Sequence, residues 1–246
     1  MSHISQVMEI KTASPARQRS GMSRMGFWAA LLTALAAAAA LGIAITTAPP
    51  RSGPNCWFET CITYPFTDAA AFVPNDYFWM VPAFLMGPLF VVLVVCIRHF
   101  ASPGKQGFGQ IALAFAVIAA AALTINYYIQ LSVVQPSLLK GELDGLSLFS
   151  QYNPHGIFIA LEDLGYLMMG AAFLFTAVLF SRRERLERVV RLILIGGGIL
   201  ALGSFILLNL LYGSDLGYNY EVVAILLDWS TLIVSGTLMS LFFLRR

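Results

Sequence analysis

Six long apolar stretches, nearly free of Lys and Arg, decide what this chain can fold into. They run approximately from Gly26 to Ala48, Tyr77 to Ile97, Gly107 to Leu131, His155 to Phe180, Val190 to Tyr212 and Val222 to Leu244. A helix needs about 20 apolar residues to cross about 30 Å of hydrocarbon, and each stretch is long enough. In lipid a helix satisfies its own backbone hydrogen bonds, which an open sheet cannot do. The expected fold class is therefore all-α, a polytopic transmembrane six-helix bundle. Composition points the same way: 58% of the residues are hydrophobic and only 11% are charged. Average globular chains carry about 25% charged residues, so a water-soluble core of this size would lack polar cover. A formal net charge of +2 gives no footing for nucleic-acid binding, and the expected partner is the lipid bilayer.

Orientation follows from the basic residues, because short loops rich in Lys and Arg stay on the cytoplasmic side. The N-terminal tail (Lys11, Arg17, Arg19, Arg24), the second connection (Arg98, Lys105), the fourth connection (Arg182, Arg183, Arg185, Arg188, Arg191) and the C-terminus (Arg245, Arg246) hold 13 of the 15 basic residues. Only Arg51 and Lys140 lie opposite. Both termini are thus expected in the cytoplasm, with the protein a multi-pass component of the plasma (inner) membrane. Outer loops then fall at 49–76, 132–154 and 213–221, and residues 26–246 form one domain behind a polar, disordered tail at 1–25. The Ala-rich first span is longer than the usual signal-peptide core, so it reads as a retained helix.

Cys56 and Cys61 both fall in the first outer loop, in Cys-Trp-Phe-Glu-Thr-Cys, where a disulfide is expected. Cys96, alone at the inner end of the second span, reads as a small apolar residue. Asn153-Pro154 supplies an N-cap and a first helical residue for the fourth span, Pro74-Asn75 does so for the second, and Asn219 or Tyr220 opens the sixth. Pro82 and Gly87-Pro88 predict kinks in the second span. Trp57, Trp79, Tyr127, Tyr128 and Trp229 are expected in an outer aromatic belt.

The side chains that carry chemistry share one depth. At 1.5 Å per residue, Glu162 and Asp163 in the fourth span and Asp228 in the sixth lie roughly 10 Å below the outer boundary. Asn126 and Gln130 occupy one face of the last turns of the third span, and Asn209 the last turn of the fifth. Seven residues make nearly two helical turns, so His155, Glu162 and Met169 fall on one line, Asp163, Tyr166 and Gly170 on the next, and Glu221, Asp228 and Ser235 on a line of the sixth span. If these lines face inward, they form an acidic cup open to the outside, bounded by the third to sixth spans. Its lid would be the kinked second span and the disulfide loop. No Lys or Arg in the spans is placed to pair with the three intramembrane acids, and an ionisable group in the bilayer costs several kcal/mol and usually marks a pathway, relay or counter-ion. His155 and Lys140 are rim neighbours. The competing reading is that the acids only bind helices together, although neutral Asn or Gln does so at lower desolvation cost. Gly196, Gly197, Gly198, Gly203, Ser204, Ser235, Gly236 and Ser240 read as packing contacts.

No Walker loop, Gly-x-Ser-x-Gly, His-Glu-x-x-His or Cys-x-x-Cys motif is present. No catalytic residue, cofactor or metal is assigned. His155 is the only histidine on the outer side, which excludes a three-histidine zinc centre and leaves only a carboxylate-rich site with His155 as one ligand. The leading expectation is binding or transport of a proton, cation or small amphiphile in the cup, with a lipidic or cationic small ligand. An intramembrane enzyme using paired carboxyls as acid and base on a lipid or isoprenoid is the second reading, and a non-catalytic subunit of a membrane complex the third.

Overall fold

The computed structural model describes residues 15–47, 51–53, 56 and 61–246. Trp57 and residues 1–14 of the tail lie outside the described residues. The helices are α1 (Pro15–Thr47), α2 (Met80–His99), α3 (Gln106–Ile129), α4 (Gln135–Lys140), α5 (Leu146–Phe149), α6 (Ile157–Leu179), α7 (Arg185–Tyr212) and α8 (Asn219–Leu244). No strand occurs among the described residues, and six helical stretches are long and apolar enough to cross a membrane. The expected six-span, all-α architecture is what the chain forms. The first helix begins at Pro15, ahead of the expected Gly26, so part of the presumed tail is helical.

Neighbouring helices in the sequence are neighbours in space, and the ring closes on itself: α1 packs against α2 and α8, α3 against α2 and α6, and α7 against α6 and α8. Short connections between antiparallel helices make this the low-cost order. α6 also touches α2 and α8 across the middle. Its span is the most enclosed, 56% buried, whereas only 22% of the α7 span is buried. α7 therefore turns Ile199, Leu200, Ile206, Leu207, Leu210 and Leu211 outward, as lipid permits.

Small residues set how closely the helices approach. Gly236 on α8 lies so near α1 that a Cβ there would meet the Ala30 carbonyl oxygen at 2.9 Å, and Gly197 on α7 is covered by the Thr231 side chain of α8. Gly196 and Gly203 face open space, so only part of the expected glycine set is used for packing.

Three local expectations need correcting. α6 starts at Ile157 after Gly156, not at His155, because the Asn153 side chain is occupied elsewhere: it donates to the Ser147 carbonyl and accepts from the His155 backbone N–H. Pro82 sits in the first turn of α2, where a proline costs no hydrogen bond, leaving Pro88 as the proline inside that helix. α3 does not stop near Leu131 but runs through a π-helical turn, Gln130–Val134, into α4. The sixth span does open at Asn219.

Candidate functional site

The connections at one end of the bundle gather around Asp76. Arg51, just beyond α1, grips its carboxylate with Nε at 2.5 Å and a second nitrogen at 3.2 Å, while its guanidinium lies 4.0 Å over the Phe72 ring. Tyr152 donates to the same carboxylate at 2.9 Å, and Trp79 Nε1 donates to the Asp76 carbonyl at 2.9 Å. Asp76 is 1% exposed, so its charge is compensated by direct bonds rather than by water. The Arg51 guanidinium is held above its ordinary pKa by the Asp76 hydrogen bond, and burial raises the phenols of Tyr152 and Tyr218. The Ser52 hydroxyl is 2.5 Å from the Tyr152 carbonyl and 2.6 Å from the Tyr218 hydroxyl, tying three connections together. The Cys56–Cys61 disulfide forms as expected, and the Ile62 N–H closes this loop onto the Arg51 carbonyl.

Beside this knot lies a cavity of about 290 Å³. Leu41, Ala44 and Ile45 of α1 and Val222, Ile225 and Leu226 of α8 make its aliphatic wall. Trp79, Tyr152, Phe158, Tyr218 and Trp229 supply aromatic surface, and Arg51, Asp76, Gln151 and Glu221 the polar end. Ile45 is 70% exposed and Leu226 47% exposed, so the mouth lies between α1 and α8 on the apolar outer surface of the bundle. Close contact at Gly236 joins the same two helices farther along, leaving the gap at this end.

Glu221 connects the cavity to the intramembrane acids. Its carboxyl stands within side-chain hydrogen-bonding reach of Glu162, and Asp163 is within electrostatic range of it. Glu162 is fully buried; its Oε1 accepts a 2.6 Å bond from Tyr127, and its Oε2 has no N–H or O–H donor among the described residues. Two carboxylates repel, so the proximity of Glu162 and Glu221 is costly unless a cation or a proton stands between them. Because the single Tyr127 hydrogen goes to Glu162, Tyr166, 2.7 Å away, must donate to Tyr127, and Tyr166 in turn accepts from Trp229 Nε1 at 3.1 Å. Asp228 is fully buried, and neither of its oxygens has a hydrogen-bond partner among the described residues. Tyr166 lies within electrostatic range of both Glu162 and Asp228.

The structure thus brings Glu162, Asp163, Tyr166 and Glu221 into one neighbourhood, with Asp228 next to its tyrosine row. It does not place the other candidates there. His155 is exposed and does not line the cavity, and Lys140 is exposed at the end of α4. Asn126 donates to the Phe158 carbonyl and Gln130 to the Phe149 carbonyl, which are bonds between segments, and Asn209 bonds back to Phe205 of its own helix. The third and fifth spans do not border the cavity; the first and sixth do, so the expected boundary is corrected. The aromatic belt is corrected as well: Trp79, Tyr127 and Trp229 are buried and hydrogen-bonded, and Tyr128 is exposed. Asp76, Tyr152 and Tyr218 were not foreseen as site residues, and Arg51 and Tyr127 were foreseen only as an outer basic residue and a belt aromatic. Among the described residues, no group of three or more His, Cys, Asp or Glu side chains converges as a metal-ligand set.

No family model matches this chain, and no curated protein or solved structure matches it either.

Proposed function

We propose that this membrane-spanning protein binds a small amphiphile, with the tail between α1 and α8 and the polar head at Glu221 and the Arg51–Asp76 knot. The single observation that supports this reading is the cavity itself: one wall is aliphatic, the far end is polar, and the mouth is on the lipid-facing side. A bilayer component reaches such a mouth laterally, without passing through water. The basic residues gathered at the opposite end support an outer-face position for this end and a cytoplasmic one for both termini. The fitting experiment uses a neutral alkyl alcohol carrying a photoactivatable diazirine, added to the full-length protein in phosphatidylcholine nanodiscs. Labelling is expected at Leu41–Ile45 and Val222–Leu226, and Ala44→Phe, which fills the space without touching a polar group, is expected to abolish it. Uniform labelling over all lipid-facing helices, unaffected by Ala44→Phe, would overturn the reading.

A second reading draws on the carboxyl pair. Glu221 lines the cavity and its carboxyl lies within reach of Glu162, a pair of acids that an acid–base enzyme acting on a lipid or isoprenoid would use. Lipid mass spectrometry of cells with and without the protein separates the two: binding alone leaves the lipid profile unchanged.

A further inference from the structure

We infer that the head group this cavity selects is a cation, so that the ligand is a lipophilic ammonium rather than a fatty acid, an organic phosphate or a neutral alcohol. The inference rests on the amphiphile reading above and names the ligand class for the same site.

Most hydrogen-bond donors around the cavity are committed to the protein, and Gln151 Nε2 is held by a long 3.4 Å bond to the Asp76 carbonyl. Arg51 is bound through two nitrogens to Asp76 and covers Phe72. Tyr152 donates to Asp76, Trp79 Nε1 to the Asp76 carbonyl, Trp229 Nε1 to Tyr166, and the Tyr218 hydroxyl is engaged with Ser52 and the Gln151 carbonyl. An anionic head would compete with these bonds, and each one it broke would leave a buried partner unsatisfied. A cation needs no donors. It needs carboxyl oxygens and aromatic faces, and both line the space.

Charge accounting agrees. Arg51 and Asp76 cancel, which leaves Glu221, with Asp163 within electrostatic range, as the carboxyl that faces the space with no ion-pair partner among the described residues. Glu221 is only 9% exposed, and among the described residues neither ion pair of the structure involves it. Both indoles turn their N–H groups into the protein, so rings are what they offer to the cavity. Trp79 and Trp229 lie 6.0 Å apart between centroids, with Phe158 6.4 Å from Trp79. Aromatic faces of this kind attract ammonium groups, most strongly where water is excluded.

The test is displacement of the neutral diazirine alcohol by three competitors with the same twelve-carbon chain: dodecyltrimethylammonium, dodecanol and dodecyl sulfate, each below its aggregation threshold. The ammonium is expected to displace the probe at a concentration at least tenfold lower than either other competitor. In Glu221→Gln that advantage is expected to collapse to parity with dodecanol. Wild-type protein showing no preference for the ammonium, or a preference for the sulfate, would overturn the inference; so would a preference that survives Glu221→Gln. If Glu221→Gln fails to fold, the wild-type ranking of the three competitors decides alone. Failure of the amphiphile reading itself is a separate result, because then the neutral probe does not label the cavity in wild-type protein.

Discussion

Arg51 and Asp76, 25 residues apart, form a two-point ion pair whose acid is almost completely enclosed, at 2.5 and 3.2 Å. Removing one partner of such a pair strands the other charge. Arg51→Ala and Asp76→Ala are each expected to destabilise the protein by about 3 kcal/mol, and Arg51→Ala with Asp76→Ala together by less than the sum. Denaturant unfolding in detergent, followed by circular dichroism, checks this double-mutant cycle.

Tyr127 is the donor to Glu162 and the acceptor from Tyr166. Tyr127→Phe keeps the ring and removes both bonds, so a loss of about 1 to 3 kcal/mol is expected. Tyr128→Phe on the next position, whose side chain is exposed, is expected to be neutral in the same unfolding measurement.

Glycines that look alike in sequence are expected to separate by context. Gly236→Ala and Gly197→Ala push a methyl group into Ala30 and Thr231 respectively, and should lower the midpoint of thermal unfolding. Gly196→Ala and Gly203→Ala meet nothing within 4 Å and remove a flexible residue from a helix, so they should hold or raise it.

Alkaline pH should loosen the knot at the disulfide end. The phenols of Tyr152 and Tyr218 are raised by burial, so the folded protein keeps protons that the unfolded chain gives up near pH 10. Their contribution is whole below that pH and fades as pH climbs past it. Thermal unfolding between pH 9 and 11 is expected to move to lower temperature, with a shallower slope in Tyr152→Phe and Tyr218→Phe.

The proposed orientation is checked by thiol labelling. After mild reduction, a membrane-impermeant maleimide applied to intact cells should modify Cys56 and Cys61, while buried Cys96 stays unmodified until the protein is denatured. Modification of the pair only after lysis would reverse the orientation.

The spans were legible because hydrophobic length alone dictates them, and Asn219 marked a helix start because the Gly-rich turn before it leaves little choice. Glu162 and Asp228 stood out because intramembrane acids are rare. Arg51 with Asp76 did not, since the pair joins the two ends of the connection between α1 and α2, and their meeting depends on how that loop folds over the bundle. Trp79 and Trp229 misled for a definite reason. An indole suits a membrane boundary or a buried site with one hydrogen-bond partner, and only the fold supplies the Asp76 carbonyl and the Tyr166 hydroxyl that settle the matter. His155 looked aligned with Glu162, but the helix begins two residues later than expected, which removes it from that line.

The bonds from Trp229 through Tyr166 and Tyr127 to Glu162 all run in one sense. Neither hydroxyl can turn around alone without leaving its neighbour facing a like group. Whatever alters the acid at the end of the row acts on the acceptor of the Tyr127 hydrogen, the last bond of a row that starts at an indole lining the cavity.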